Sequence, residues 1–519
     1  PYDGDLPFPP TSYCTGHPIS KPTLTFSIAY GPGRNFSFVQ DVQEHDPPYD
    51  THDIHVSGDF VVRRAGAGTP GPSLVIESTA NFAPLGFSVD WDEDHQRIHA
   101  SVPRKLPRDD EVSWPCLSLR VTLWVPGDAV LDSLALETVH LGIRLMDNLA
   151  LQLTQFAHLT TVVGPIVAAT DGTAKADNLL EDGAPDYFKF DSRHIEVKST
   201  SAPITGYWPL YDYLGLSNIA GTIKVRVQPR EEKSDAPKPA VLYVKSLSGN
   251  IEVWEPVDKA ADALSTRSSA GLGDVAVLAA EKYIPPRDYR VNVQSTSGTI
   301  KGAWAFSSAC RIHSTSGNSL VELLPVLDVG IADRPSGSNL ETSTTSGTVK
   351  IQVLEPLWIG SGGSAGAYLP PAAPTTPSAP SAPSAPGSRD STPEEEDVTP
   401  IGNIGSGDPY KIIPPTLRGR QEAQAPPALR CLQSRHASTS ANIRLSYPAS
   451  WEGDLDMGTI SGSFKVSGEG LKVIKDGKSW PGVDRHLVAR KGKGGEGSVA
   501  TVKTISGDVR VVVGDKAND

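Results

Sequence analysis

One short phrase, repeated through the second half of the chain, restricts the fold more than any other feature. It reads Ser295-Thr296-Ser297-Gly298-Thr299-Ile300. Close copies are Ser246-Leu247-Ser248-Gly249-Asn250-Ile251, Ser314-Thr315-Ser316-Gly317-Asn318, Thr344-Thr345-Ser346-Gly347-Thr348-Val349, Thr459-Ile460-Ser461-Gly462-Ser463-Phe464 and Thr504-Ile505-Ser506-Gly507-Asp508-Val509. Each copy separates runs that alternate apolar with polar residues, such as Val291 and Val293 before one copy and Val349, Ile351 and Val353 in another. Period two marks a strand with one buried face, so the phrase is a bend between strands. Gly accepts the backbone angles of such a bend, while Ser, Thr and Asn hydrogen-bond the local backbone or the equivalent residue above and below. Ser297 and Ser316 lie 19 residues apart, and Ser316 and Ser346 lie 30 apart. Self-similarity on that scale without helical spacers predicts an all-β repeat architecture, a parallel β-solenoid or β-helix. The longer intervals, 49 residues from Ser248 to Ser297 and 45 from Ser461 to Ser506, then hold one coil with a loop excursion or two coils with one degenerate.

The remaining chain divides around that pattern. Residues 1–125 lack the phrase and read as a β-rich N-terminal cap, covering sheet edges and core that a bare first coil would expose. Residues 126–359 form the first part of the solenoid, and 428–519 supply its C-terminal coils. Excursions are expected at Gln228–Pro239 and Pro256–Pro286, the second with a short helix over Asp258–Leu264. Residues 360–427 are a Pro/Ser/Ala-rich insertion, with Ser-Ala-Pro repeats followed by Glu394-Glu395-Glu396-Asp397, a composition expected to stay disordered.

The chain has 519 residues with 47 basic against 60 acidic, and a net charge of −13 argues against nucleic acid or an anionic membrane as the main partner. No run approaches the ~20 apolar residues that span a bilayer. The start at Pro1 without methionine points to a processed or truncated product. Four cysteines, Cys14, Cys116, Cys310 and Cys431, are too few for a disulfide scaffold and lack zinc-site spacing. Two bridges or none are allowed; in an oxidising compartment the expected pairs are Cys14 with Cys116 and Cys310 with Cys431. Asn35-Phe36-Ser37 is the single N-glycosylation sequon.

Several stretches carry candidate chemistry. His45, Asp50, His52 and His55 supply imidazoles and a carboxylate that could ligate a divalent metal; a polar loop around Pro47-Pro48 is the preferred alternative. Asp90, Asp92 and Asp94 have calcium-loop spacing, but His95 stands where the turn glycine should be, which favours a hairpin tip. Gly492 to Ser498 lacks phosphate-loop spacing and reads as a flexible hairpin, with Arg490 and nearby lysines as a small basic spot that could meet an acidic polymer. Tyr207, Trp208, Tyr211 and Tyr213, with Trp254 and Trp304 on later coils, could form a platform for sugar rings; the alternative is that they cover the solenoid where loops depart. Lys301, Lys350, Lys465, Arg510, Glu196 and Glu252 occupy outward strand positions. Paired carboxylates there would suit a polysaccharide lyase or hydrolase. No serine or cysteine has a nucleophile-elbow context, and nothing calls for a cofactor.

The Thr/Ser-x-Ser-Gly-x-Ile/Val phrase over roughly residues 130–515 resembles the adhesin-domain family of unassigned function, whose members are predicted to form β-solenoids. Further features resemble its fungal branch: Gly31-Pro32-Gly33-Arg34-Asn35, Pro115-Cys116 before Trp124-Val125-Pro126, Ser199-Thr200-Ser201 followed by Trp208-Pro209-Leu210-Tyr211-Asp212, and Arg490-Lys491-Gly492. Those relatives carry one membrane-spanning helix near the amino end, so the resemblance implies an extracellular or cell-surface ectodomain cut after its anchor. It assigns no catalytic residue. The expected function is a non-enzymatic, adhesin-like protein that binds wall polysaccharide, cells or its own copies. A carbohydrate-active β-helix enzyme and a purely structural assembly module are the alternatives.

Overall fold

The computed structural model describes residues 18–43, 51–66, 68–107, 114–170, 188–268, 273–334, 336–360, 427–478, 485–495 and 497–514. The chain is all-β, with 62% strand and 4% helix, and its sheets are built mainly from parallel strands. Residues 361–426, nearly all of the expected insertion, lie outside the described residues.

Successive strands enter two sheets alternately. Tyr289–Ser295 pairs in parallel with Ala240–Ser246 and Ala309–Ser314, whereas the next strand, Ile300–Phe306, pairs in parallel with Ile251–Trp254 and Ser319–Asp328 in the other sheet. A strand therefore meets the strand two places away in sequence, which is why the ladders are parallel without long crossovers. Registers hold the inward residues in line: Val293, Ile312 and Thr342 in one sheet, Ile300, Ser319, Val349 and Ile443 in the other. Val293, Ile300, Ile312 and Ile443 are buried, and burying each such side chain stabilises the fold by about 1.5–3 kcal/mol.

The repeated phrase makes the corner between the two sheets, and corners lie on one another. A Cβ built on Gly249 would sit 1.9 Å from the Gly221 carbonyl oxygen. For Gly298 over Gly249 the distance is 2.0 Å, for Gly317 over Gly298 2.0 Å, and for Gly347 over Gly317 2.5 Å. Backbone can approach backbone that closely only where no side chain intervenes, which explains the glycine. The first serine caps its own bend: Ser295 Oγ accepts from Gly298 N at 2.9 Å and donates to the Gly298 carbonyl at 2.9 Å, and Ser314 repeats this with Gly317. The second serine bonds across: Ser248, Ser297 and Ser316 donate through Oγ to the carbonyls of Ile219, Leu247 and Thr296. Asn after the glycine extends the ladder, Asn250 and Asn318 accepting from the backbone N–H of Thr299 and Thr348.

Strand order departs from sequence order near the C-terminus. Ser498–Ser506 lies between Leu432–Ser440 and Gly453–Ser461, and Val509–Val513 between Ile443–Tyr447 and Phe464–Gly468, so the last strand pair in sequence is inserted before the pair that precedes it. The sheet then ends in antiparallel strands Arg485–Lys491 and Lys472–Lys478, whose lysines keep the edge from pairing with another chain. Residues 18–125 continue the same two sheets: Asn35–Val42 pairs with Ala129–Thr138, and His55–Arg64 lies between Cys116–Val125 and Gly142–Met146. Antiparallel strands finish this end too, Ser73–Ala80 in one sheet and Ser88–Asp92 in the other. The helix expected over Asp258–Leu264 lies within Val257–Ser268, and a second helix follows at Gly273–Glu281.

Candidate functional site

The outer face of one sheet gathers aromatic and charged side chains from four adjacent parallel strands. Register aligns Phe156 with His194 and His194 with Tyr213, and in the adjoining row aligns His158 with Glu196, Glu196 with Gly215 and Gly215 with Tyr243. The His194 and Tyr213 rings stack with centroids 4.4 Å apart and planes 7° apart. Tyr213 lies across Gly215, where a Cβ would come within 2.7 Å of its ring, so the glycine lets the ring lie flat on the sheet. Phe156 is 39% exposed and borders a shallow cavity of about 410 Å³ lined also by Gln155, His158, His194 and Glu196.

A β-bulge delivers Phe156 to that position. The ladder slips between Leu153 and Phe156, and the extra residues are fastened by Asp132, which accepts from Thr154 Oγ1 at 2.8 Å and Gln155 Nε2 at 3.3 Å. Bulges of this kind re-aim side chains at the surface.

Beside the rings, Glu196 takes His158 Nδ1 at 3.1 Å on one oxygen and Lys198 Nζ at 2.8 Å on the other, and His158 Nε2 meets Thr160 Oγ1 at 3.0 Å. Partial burial works against ionisation of Glu196, but Lys198 and His158 outweigh it and hold the carboxyl below its usual range. Glu196 is thus a fixed anion and hydrogen-bond acceptor. Burial, with Glu196 and Tyr243 nearby, pushes the Tyr213 phenol up, so it remains a neutral donor. Flat rings beside polar groups held at fixed positions suit a pyranose, whose C–H face stacks on an aromatic ring and whose edge hydroxyls need donors and acceptors.

The six aromatics expected as a platform are not brought together. Trp208 and Trp304 are 0% exposed and Tyr207 is 5% exposed, which corrects their expected role as stacking surfaces. Both tryptophans fall in phase with inward residues, Trp208 with Ile204 and Leu210, Trp304 with Ile300 and Phe306, and each follows a glycine two residues back, Gly206 and Gly302. Tyr211 donates to Asp191 Oδ1 and lies under the Lys233 ammonium, and Trp254 lies half-buried under Lys301, 5.8 Å from its ring. Tyr213 alone of the six belongs to the surface described above. Phe156, His194 and Tyr243 were not anticipated.

His45 and Asp50 of the expected metal set lie outside the described residues. His52 belongs to the short strand Thr51–Asp53, paired with Lys105–Pro107, and His55 opens the strand His55–Arg64. Among the described residues no three His, Cys, Asp or Glu side chains converge on a metal position. The aspartates around residue 92 flank a hairpin tip, with Asp92 bonded to His95 Nδ1 at 2.9 Å and Asp90 4.0 Å from His99. Arg490 is engaged by Asp454 at 2.5 Å, so it is not the open basic spot expected. Asn35 is exposed at the head of its strand, its Oδ1 accepting from Ser133 Oγ at 2.6 Å. Cys116 is disulfide-bonded, whereas Cys310 and Cys431 are buried free thiols, which corrects their expected pairing; Cys14 lies outside the described residues.

Searches against known protein families, characterised proteins and solved structures found no match to this chain.

Proposed function

We propose that the two alternating sheets with stacked corners are a parallel β-solenoid, that the chain is an extracellular or cell-surface adhesin-like protein, and that it binds carbohydrate without turning it over. The observation that carries the binding role is the Phe156–His194–Tyr213–Tyr243 surface beside the Glu196–Lys198–His158 cluster. The bonded Cys116 supports an oxidising compartment. Glu196, held as an anion by Lys198 and His158, is poorly suited to donate a proton to a glycosidic oxygen, which favours binding over hydrolysis. The resemblance to the adhesin-domain family agrees with this reading and enters as part of the proposal.

Screening the chain against cell-wall polysaccharides and glycans, with product detection, tests it. Tyr213→Ala is expected to lower affinity for the bound glycan by about tenfold, the scale of one lost ring contact of about 1–1.5 kcal/mol. Release of cleaved sugar would overturn the non-enzymatic reading, and affinity unchanged in Tyr213→Ala would overturn the site.

A further inference from the structure

On eight adjacent strands of one sheet, the buried register that runs from Asn218 through Ser295 and Ser314 to Thr459 is followed at each corner by a residue that turns outward. These outward residues form a row that begins at Ile219 and Leu247, runs through threonines and ends at Ile505 and Ile460. The four aliphatic side chains are each about half exposed. Exposed positions with no packing duty are where a chain ordinarily places its charges.

This row has no charge, although 21% of the chain is charged. Neither has the next position round the corner, which is Ala220 followed by the second serines of the phrase. Those serines spend their hydroxyls on backbone: Ser248, Ser316 and Ser440 donate to the carbonyls of Ile219, Thr296 and Thr345. The outward row two residues back, on the same strands, is ordinary surface with Lys245, His313 and Lys503 exposed. An uncharged, half-apolar strip bordered by charge has the composition of a protein contact.

The order along the strip says what covers it. From Ile219 it runs two aliphatics, four threonines, two aliphatics, and it reads the same from the other end. Identical copies that meet across a two-fold axis need a surface complementary to itself. A neutral polymer laid on the strip would instead favour one residue type repeated along it, with no centre. We propose that the strip is the contact face of an antiparallel homodimer, with the two-fold axis between Thr315 and Thr345. Ile219 then meets Ile460 of the second copy, Leu247 meets Ile505, Thr296 meets Thr439 and Thr315 meets Thr345, so like faces like throughout. Eight strands ~4.8 Å apart and a corner ~10 Å wide give a footprint of roughly 400 Å² per copy. Twice that is below the ~1,200 Å² of a stable interface, so the dimer is weak and reversible, and it gains strength where many copies stand side by side. The aromatic surface lies elsewhere on the sheet, and the strip does not depend on it.

Sedimentation velocity of the intact chain over about 5–500 µM is the test. A monomer–dimer equilibrium is expected. It should tighten with added salt, because each copy carries a net charge of −13 and Lys245 approaches Lys503 of the second copy at the rim. Leu247→Lys alone and Ile505→Glu alone each set a charge against an aliphatic side chain twice per dimer, and each is expected to weaken dimerisation by about tenfold or more. The two substitutions together in one chain are expected to restore it, since opposite charges then face each other between copies. Within one chain the two positions are five strands, roughly 24 Å, apart, too far to pair. Tyr213→Ala should leave dimerisation unchanged. Thermal melts of each variant report folding separately, and the concentration and salt dependence of the unaltered chain stands even where a variant fails to fold. A chain that stays monomeric to the highest concentration in high salt, as it would if another segment or partner covered the strip, overturns the proposal. So do unaltered dimerisation in both folded single variants, and a double variant that dimerises no better than they do.

Discussion

Replacing Gly298 by alanine would set a methyl carbon 2.0 Å from the Gly249 carbonyl oxygen, 2.6 Å from its carbon and 3.1 Å from Asn250 N. Ordinary contact needs more than 1 Å of further separation, and the corner has nowhere to go. Below, it is tied by Ser297 N to the Leu247 carbonyl at 3.0 Å and by Thr299 N to Asn250 Oδ1 at 3.0 Å. Above, Gly317 rests on the Gly298 carbonyl with the same closeness. Gly298 does not have a positive φ, so the contact alone is at issue. Overpacking costs about 1–3 kcal/mol and the two strained hydrogen bonds about 1 kcal/mol each. The loss of glycine's freedom in the unfolded chain returns about 0.4–1 kcal/mol. The net expectation is a destabilisation of about 2–4 kcal/mol. Gly458→Ala is the matched control, because a Cβ there meets nothing within 4 Å, and it should change stability by less than about 0.5 kcal/mol. Urea unfolding followed by circular dichroism, with hydrogen exchange at the Thr296–Asn318 amides to catch local opening, measures both. Equal stability and protection in the two variants would refute the reasoning that corner glycines exist for backbone contact.

Two buried titratable groups make opposite pH predictions. His436 is buried, bonded through Nδ1 to Thr342 Oγ1 at 2.8 Å and through Nε2 to the Tyr447 hydroxyl at 3.0 Å, and burial pushes its pKa from 6.5 down to about 3. Its contribution is fully present above pH 6.5 and is lost as pH falls towards 3, on the order of 5 kcal/mol in all; His436→Asn should flatten that acid limb in urea titrations. Glu255 lies wholly buried, with one oxygen accepting from Ala305 N at 2.8 Å and the other without a partner, and burial raises its carboxyl from 4.5 to about 8. Stability therefore falls as pH rises from 4.5 to 8, again on the order of 5 kcal/mol, and Glu255→Gln should remove that decline and stabilise the chain at pH 8.5. Persistence of either limb in its variant would show that another group drives it.

Local patterns marked the strands, the bends and the excursion helix, because each rests on residues within reach of one another. Period two around Val291–Val293 and Val349–Val353, and the paired serines about each glycine, are local signals with one physical reading. The position of the last two strands was hidden because every corner carries nearly the same phrase, and equal phrases do not say which two are neighbours. Trp208 and Trp304 were legible in principle: extending the alternation from Ile204 and Ile300 by four residues places both rings inside, and Gly206 and Gly302 leave room for them. The site was less visible. Phe156, His194, Tyr213 and Tyr243 come from four separate strands, and they meet only once the register is known, with a bulge after Leu153 that no sequence pattern marks.

Disulfide trapping tests corner stacking most directly. Leu247 and Thr296 are separated by 49 residues in sequence, yet they follow paired Ser246 and Ser295 and lie on neighbouring corners, both exposed. Their Cα atoms should be within the roughly 4.4–6.8 Å that a disulfide spans. Leu247→Cys with Thr296→Cys should oxidise readily in the folded chain, as read by mass spectrometry of the proteolysed product, while Leu247→Cys with Thr315→Cys, one corner further away, should stay reduced. Failure of the first pair to close, or equal closure of both, would contradict the stacked arrangement.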